Sequence, residues 1–168
     1  MINNIFNASM DGKIDTLNEL IQKDFEKFEN QINIKDSLGY SPLAIAVTRG
    51  NIAIVDLLIR HGANVNTQDN KGNTPLHYVG VYNFLEIAKL LLDNGADINL
   101  KDRYNNQPLW PAVFNAADGG SDKLPLVKLL LENGADPNNN NKSNNSPLNF
   151  AKKVGDQPLV DLLEKKIL

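Results

Sequence analysis

Few side chains in this sequence could carry out chemistry. Its 168 residues include two histidines, His61 and His77, and no cysteine, which excludes disulfides and thiolate metal sites. The two histidines are not spaced as a pair of metal ligands. Neither histidine stands in a recognisable Ser–His–Asp arrangement. Phosphate-binding loops of the GxGxxG or GxxxxGKS/T type are also missing from the sequence.

An acidic loop at Asp118–Asp122, with the sequence DGGSD, is the nearest approach to a metal site. It lacks the ligand spacing and the closing glutamate of a calcium-binding loop, so we interpret it as a plain connection. The other carboxylates are scattered along the chain rather than paired. The sequence therefore predicts no catalytic, cofactor or metal site, and we expect a protein that is not an enzyme.

An internal repeat determines the elements that must position any functional side chain. Pro42, Pro75 and Pro108 follow one another at intervals of 33 residues, and Gly62 and Gly95 are separated by the same interval. Each proline suits the first position of a helix, where no backbone N–H is needed, and each glycine suits the end of a second helix. A leucine-rich stretch lies between them. This pattern predicts a tandem array of helix pairs.

The residues at the start of each unit point to one family. Thr74–His77 reads T-P-L-H, and Ser41–Ala44 and Gln107–Trp110 stand in the same register. This signature at a period of 33 residues is that of the ankyrin repeat, so the chain resembles the ankyrin-repeat family over nearly its whole length. The resemblance implies an all-α solenoid of stacked helix-turn-helix units with β-turn fingers. It also implies protein binding rather than catalysis.

The register divides the chain into a single ankyrin-repeat domain of five units. Their predicted bounds are 1–35, 36–68, 69–101, 102–140 and 141–168, with the first and last as caps. In the first cap we expect the second helix to continue through Phe25 and Phe28, because no Gly-Ala pair ends it. The unit 102–140 holds a six-residue insertion, predicted to be a loop from its glycines.

Two further expectations concern the turns between units. Residues 138–145 read NNNNKSNN, yet Asn141 and Asn144 stand in the register of Asp36 and Gly39. Since asparagine tolerates the left-handed conformation and forms Asx turns, we predict a finger there rather than a disordered linker. In the third unit Gly80 and residues 81–83 replace the usual small residue and glycine, which predicts a wider turn or a weaker helix.

Composition and charge limit the classes of partner. Hydrophobic residues make up 42% of the chain and charged residues 22%, as in soluble folded proteins. The net charge is −3 with acids and bases interleaved, whereas a nucleic-acid partner would need a basic stripe. The first residues lack the pattern of a signal peptide, and no apolar run approaches the roughly 20 residues of a membrane helix. We therefore expect a cytoplasmic protein, without nucleic-acid or membrane partners, that is monomeric because its caps are polar.

The resemblance implies a concave groove lined by the fingers and by the exposed face of each first helix. On the fingers the candidate partner-binding residues are Leu38, Tyr40, Lys71, Asn73, Arg103, Tyr104 and Asn106. On the first helices they are Thr48, Arg49, Val81, Tyr82, Phe114 and Asn115. Tyrosine and arginine dominate binding hot spots, because they combine a large contact area with polar reach. The alternative for the aromatic residues is packing between units.

His77 and Trp110 occupy the same register position and receive different interpretations. The resemblance implies that His77 forms hydrogen bonds within the turn network. Trp110 replaces that histidine, and packing against the insertion is favoured over contact with a ligand. Trp110, Phe114 and the loop 115–123 make the unit 102–140 the most individual, so we expect specificity to be encoded there.

The most concrete functional hypothesis also comes from resemblance. The segment LWPAVFNA at Leu109–Ala116 and the inserted loop are similar to small, stand-alone bacterial ankyrin proteins that act as immunity partners of toxins. The abundance of Asn, Lys and Ile is consistent with a bacterial source. This hypothesis predicts a tight one-to-one complex with a toxin. The alternative is a regulatory scaffold or adaptor with several partners.

Overall fold

The computed structural model describes residues 3–117 and 120–165. Within those residues the chain forms eleven α-helices and one 3-10 helix, and no strand. The helices are α1 Asn3–Asp11, α2 Ile14–Lys23, α3 Phe25–Gln31, α4 Pro42–Thr48, α5 Ile52–Arg60, α6 Pro75–Tyr82, α7 Leu85–Asp93, α8 Leu109–Ala116, α9 Leu124–Glu132, α10 Pro147–Val154 and α11 Gln157–Glu164. The predicted all-α class is confirmed.

The helices form two layers that run the length of the array. Helices α1, α4, α6, α8 and α10 pack one on the next and form what we call the first-helix layer. Helices α5, α7, α9 and α11 pack in the same order and form the second-helix layer. Apolar side chains that face the other layer are buried, and they include Leu43, Leu76 and Leu109 on first helices and Leu58, Leu91 and Leu130 on second helices. Since each helix pair buries its apolar side on its neighbours, the core is continuous and the fold is the expected solenoid.

First helices begin where the sequence predicts. The side chain of Ser41 accepts a hydrogen bond from the Ala44 N–H at 3.2 Å, and that of Ser146 accepts one from the Asn149 N–H at 3.2 Å. The proline that follows each serine occupies the first helical turn, as its fixed φ allows. Helix α8 is different, because Gln107 provides no side-chain cap and the helix begins one residue later, at Leu109.

The fingers are β-turns closed by an acidic or amide side chain. The Asp36 Oδ1 atom accepts hydrogen bonds from the backbone N–H groups of Leu38 and Tyr40, both at 2.9 Å. The Asn141 Oδ1 atom does the same for the last finger. Asn144 has a φ of 54° and is left-handed, as are Gly39, Gly72 and Asn105 at the same position of the other fingers. The predicted finger in the asparagine-rich segment is confirmed.

Backbone hydrogen bonds connect each finger to the next. The Asn70 N–H donates to the Leu38 carbonyl at 3.1 Å, and the Arg103 N–H donates to the Lys71 carbonyl at 2.9 Å. The Lys142 N–H continues the series to the Tyr104 carbonyl at 2.8 Å. The finger backbones are therefore fixed relative to one another, and their side chains project from a connected row.

The first cap departs from the sequence prediction. Helix α2 ends at Lys23, and a separate helix, α3, begins at Phe25. Asp24 lies between them with an extended φ of −159°, and its side chain accepts a hydrogen bond from the Lys27 N–H at 3.0 Å. The expectation of one continuous helix is wrong, because Asp24 caps a new helix. The change of direction lets Phe28 become buried.

The turn between α6 and α7 also differs from its prediction. Asn83 takes the left-handed conformation with a φ of 59°, so it performs the role of glycine and the turn is not wider. Gly80 lies where α6 and α8 come closest, since a β-carbon there would lie 2.9 Å from the Ala112 nitrogen. Glycine is thus used for helix packing at this position.

The insertion leads into α9 through a short 3-10 helix at Ser121–Lys123. The Lys123 ammonium donates to the Asn115 carbonyl at 2.9 Å, which joins the insertion to the end of α8. Asp118 and Gly119, part of the predicted loop and of the rejected calcium site, lie outside the described residues.

Candidate binding surface

His77 is a structural residue that joins two units. Its Nδ1 atom accepts a hydrogen bond from the Thr74 N–H at 3.1 Å and lies 2.9 Å from the Thr74 hydroxyl. The proton is therefore on Nε2, which donates to the Asn106 carbonyl of the next finger at 3.0 Å. Burial lowers the pKa of His77, and the Asn106 carbonyl with the Asp102 and Asp69 carboxylates offsets only part of that effect. The predicted role in the turn network is confirmed.

His61 lies at the end of α5, away from His77. Its Nδ1 atom is 2.8 Å from the Leu57 carbonyl, and its ring lies edge-on to Phe25 and Phe28, with centroids 6.2 and 5.8 Å away. It thus packs the additional helix α3 against the next unit. Among the residues that the structure describes, no group of three or more His, Asp or Glu side chains could hold a metal ion.

Tyr40, a predicted binding residue, is half-buried and part of a polar network between units. Its ring lies 5.5 Å from the Tyr78 ring, and the two hydroxyl oxygens are 3.0 Å apart. The Tyr78 hydroxyl donates to the Asp69 carboxylate. Burial tends to raise the pKa of Asp69, but hydrogen bonds from Tyr78, Asn73 and Lys71 outweigh it and the net pKa is lowered. Burial raises the pKa of Tyr78, and so do its hydrogen bonds with Asp69 and Tyr40. Tyr40 therefore packs between units, as the alternative interpretation expected.

An open apolar groove runs across the first-helix layer over α6, α8 and α10. We call it the aromatic groove; its volume is about 660 Å³ and it is lined by Val81, Trp110, Pro111, Phe114, Asn115, Ala117, Phe150 and Val154. The Phe114 ring stacks on Phe150 with centroids 5.4 Å apart, and Trp110 lies 5.7 Å from the same ring. Phe114 is nevertheless 62% exposed, and Val81 and Val154 are each 47% exposed. The groove thus presents aromatic and aliphatic surface to solvent.

The sequence identified part of this groove and missed part. Val81, Trp110, Phe114 and Asn115 were predicted, and the structure brings them together. Phe150 and Val154 were not predicted. Phe150 lies three residues after the proline that starts its helix, the position that Tyr78 and Pro111 hold in their units. Val154 holds the position of Asn115. Extending the register to the last unit would have found Val154 but not Phe150, because the equivalent residues Tyr78 and Pro111 were not predicted to bind.

Trp110 has an aromatic neighbour that the sequence did not indicate. Its ring lies 5.7 Å from that of Phe150, one unit further along. Packing of Trp110 against the insertion stays a prediction, because Asp118 and Gly119 lie outside the described residues. Asn115 also has an internal role, because its side-chain amide donates to the Val81 carbonyl at 3.1 Å and so caps the end of α6. Its side chain links two first helices at the edge of the groove.

The other predicted residues of the first helices differ in exposure. Tyr82 is 47% exposed and its ring stacks on Phe84 with centroids 5.6 Å apart. Arg49 is exposed at the end of α4. The Thr48 hydroxyl donates to the Ile45 carbonyl within its own helix at 2.8 Å, so its donor is already used. Tyr82 and Arg49 are the more available of the three.

The predicted finger residues fall into an outward and an inward group. Leu38 and Tyr104 are 63% and 51% exposed, and Lys71 and Arg103 are also exposed. The Arg103 guanidinium lies 4.8 Å from the centroid of the Tyr104 ring and donates to its hydroxyl at 2.6 Å. These four side chains are free to meet a partner.

Asn73 and Asn106 form the inward group. Their side-chain amides donate to the second carboxylate oxygens of Asp69 and Asp102, at 3.3 and 3.0 Å. Asn106 also accepts a hydrogen bond from the Asn141 side chain at 3.1 Å. These amides therefore stabilise the fingers, and their polar groups are largely used.

Comparison with known families agrees with this geometry. A family model described as ankyrin repeats (three copies) matches residues 5–102, and a second, described as ankyrin repeats (many copies), matches residues 113–163. A search of curated proteins gives no significant match to the chain. Within residues 3–117 and 120–165, none of the helices has the length and apolar character needed to cross a membrane.

Proposed function

The chain belongs to the ankyrin-repeat family, a family of protein–protein interaction modules, and we propose that it binds one protein partner through the aromatic groove and the outward finger residues. One observation carries the proposal: Phe114 is 62% exposed although it stacks on Phe150. Burying a large apolar side chain contributes about 1.5–3 kcal/mol. Phe114, Val81 and Val154 are already about half buried, so a partner that covered them would gain roughly half of that contribution from each.

The rigidity of the surface supports the same proposal. The groove lies on helices that pack on each other, and the fingers are connected by backbone hydrogen bonds. A surface that is already ordered loses little conformational entropy when it binds. Aromatic and arginine side chains in such a position commonly supply most of the binding free energy. We therefore expect Phe114, Tyr82 and Arg103 to contribute strongly to affinity.

The test compares groove variants with a matched apolar control. Phe114→Ala and the double variant Tyr82→Ala/Arg103→Ala remove exposed side chains of the first-helix layer and fingers. Ile52→Ala is the control, since Ile52 is 46% exposed but lies on α5 in the second-helix layer. Each tagged variant is used for affinity purification from native lysate, and recovered partners are identified by mass spectrometry and titrated by calorimetry.

We expect one stoichiometric partner that is retained by wild type and Ile52→Ala and lost by Phe114→Ala and by Tyr82→Ala/Arg103→Ala. Circular dichroism should show unchanged helix content and melting for all of them. Equal retention by the groove variants would refute the assignment of the surface. Loss of folding in the double variant would mean that these side chains are packing residues rather than binding residues.

The finer proposal is that the partner is a bacterial toxin that this protein neutralises. The similarity of Leu109–Ala116 and the inserted loop to small immunity proteins supports it. Expression of the captured partner alone should arrest growth, and co-expression of the wild-type chain, but not Phe114→Ala, should restore it. Several substoichiometric partners and no rescue would favour the adaptor alternative.

We also propose that the protein acts as a monomer in the cytoplasm. The outer side of α11 exposes Asp161, Glu164 and Lys165, and stacking of a second copy there would bury these charged groups. Light scattering coupled to size exclusion should give the mass of one 18.6 kDa chain at all concentrations tested. A concentration-dependent increase in mass would contradict this part of the proposal.

A further inference from the structure

Charged residues are divided unequally between the two helix layers. Helices α4, α6, α8 and α10 contain no Asp or Glu. Helices α5, α7, α9 and α11 contain six acidic residues, namely Asp56, Glu86, Asp93, Glu132, Asp161 and Glu164, against three basic ones. The one acidic residue of α1, Asp11, forms an ion pair with Lys13 at 3.2 Å. The face that carries the aromatic groove is therefore the less acidic face of a protein whose net charge is −3.

The fingers and the helix ends of the first-helix layer add basic groups that project into solvent. Lys71, Arg103 and Lys142 are exposed at the turns, and Arg49 is exposed at the end of α4. In the part of the chain that the structure describes, none of these four side chains forms an ion pair with a carboxylate. They are available to pair with charges on another molecule.

The acidic residues of the same fingers are already occupied. The Asp102 Oδ1 atom accepts hydrogen bonds from the Tyr104 and Asn106 N–H groups at 2.7 and 2.9 Å, and its Oδ2 atom accepts one from the Asn106 side chain at 3.0 Å. Asp36 and Asp69 close their turns in the same way. Their negative charge is thus directed toward backbone N–H dipoles within the turn, whereas the basic groups point outward.

On this basis we infer that the partner presents an acidic segment in which carboxylates flank an aromatic or large aliphatic side chain. This inference rests on the proposed function and specifies the chemistry of its partner. The apolar side chain would enter the groove beside Phe114 and Val154, and the carboxylates would pair with Arg103 and Lys142 on the adjacent fingers. The acidic second-helix layer repels such a segment, so the charge pattern also orients its approach.

A nucleic acid is the other macromolecule with negative charge, and the geometry favours a protein. The Phe114 and Phe150 rings are stacked on each other, which leaves less of their faces for bases to stack on. The basic residues are few and separated by apolar surface, whereas a backbone of phosphates needs a continuous basic track. Binding of an oligonucleotide is therefore an outcome of the test rather than a second proposal.

The test selects ligands from an unbiased source. A random twelve-residue peptide display library is panned against the immobilised full chain at low salt, and enriched sequences are compared with the input pool. We expect enriched peptides to be net negative and to contain an aromatic or large aliphatic residue. Arg103→Glu/Lys142→Glu should weaken binding of the best peptide about tenfold, because each exposed charge pair changes by a modest amount.

A matched charge reversal on the other layer serves as the control. Lys89 and Lys128 are exposed on α7 and α9, and Lys89→Glu/Lys128→Glu changes the net charge by the same amount. When the variants are titrated at about 0.15 M salt, where the Debye length is about 8 Å, we expect this variant to alter peptide affinity by less than about twofold, since exposed charges beyond a Debye length are screened. Equal losses in the two double variants would overturn the inference, because net charge alone would explain them.

The remaining outcomes separate this inference from the proposed function. Neutral or basic peptides that lose binding with Phe114→Ala would overturn the acidic partner and leave the groove as a protein-binding site. Peptides that bind Phe114→Ala as well as wild type, or no enrichment at all, would count against both. A single-stranded oligonucleotide that displaced the peptides at equal or lower concentration would overturn the assignment to a protein partner.

Discussion

Gln107 offers a sharp test of the local physics, because α8 starts without the serine or threonine that precedes the first proline of α4, α6 and α10. Gln107 is only 7% exposed, and its Oε1 atom has no hydrogen-bond partner among the described residues. Its Nε2 atom reaches the exposed Asn99 at 3.3–3.4 Å. The backbone is already suited to a cap, since the Gln107 carbonyl accepts the Trp110 N–H at 2.9 Å, as the Thr74 carbonyl accepts the His77 N–H at 3.0 Å. We therefore predict that Gln107→Thr stabilises the protein.

The magnitude follows from three contributions. A hydroxyl cap adds about 1 kcal/mol to the free energy of unfolding. Removing a buried acceptor that has no partner relieves a cost of about 1–3 kcal/mol. Losing the long contacts to Asn99 offsets part of this gain, by about 1 kcal/mol for each good hydrogen bond and less for long ones. The net expectation is an increase of about 1–2 kcal/mol, or roughly 2–8 °C in melting temperature for a chain of this size.

The assay is urea unfolding followed by far-ultraviolet circular dichroism, with Gln107→Ala and Thr74→Gln as companions. Gln107→Ala removes the buried amide without supplying a cap. It therefore separates the stabilisation due to removing the unpaired acceptor from the stabilisation due to the new hydroxyl cap. Thr74→Gln transfers the uncapped arrangement to α6 and should destabilise the protein. If Gln107→Thr is no more stable than Gln107→Ala, or less stable than wild type, the capping argument for α8 is refuted.

Two further predictions concern the core and the turn network. Leu91→Ala should cost about 2–5 kcal/mol in urea unfolding, because Leu91 is fully buried between the layers. Burial lowers the pKa of His77 in the folded protein below the unfolded value near 6.5. The folded state therefore favours neutral His77, and the resulting stabilisation is fully present above about pH 6.5. It is lost as the pH falls through the folded pKa. His77→Asn should flatten the decline in stability between pH 7.5 and 5, whereas the control His61→Asn should retain it; equal slopes would contradict this account.

Much of the fold could be predicted because the same local signals recur in register. A hydroxyl followed by proline starts α4 and α10, and side chains at Asp36 and Asn141 close fingers of the same shape. The division of the chain at residues 35, 68, 101 and 140 stays a prediction, and the observed helix pairs fit within it. In a repeat protein the same residue positions recur in every unit, so a position that is unclear in one unit can be read from the others. The asparagine-rich finger could be predicted in this way.

Register was less informative about the direction of side chains. It placed Asn106 and Tyr104 on the same finger, but hydrogen bonds to Asp102 turn the first inward while the second stays exposed. It also gave no indication of the break at Asp24, where an N-cap interrupts a helix that periodicity continues. The direction of a side chain and the end of a helix depend on local hydrogen bonds and on contacts between units. The spacing of residues in the sequence does not specify them.

The aromatic groove lies where the array departs most from its own pattern. Gln107 replaces the hydroxyl cap, and Trp110 replaces a histidine that in α6 bonds to the next finger at 3.0 Å. Both changes remove stabilising hydrogen bonds, and Phe114 leaves apolar surface exposed beside them. Departures from local rules that lower stability tend to occur at functional sites, because selection there acts on binding rather than on folding. Trp110 and Phe114 lie on α8 and Gln107 lies just before it, so the concentration of unfavourable features at this helix supports the groove as the binding surface.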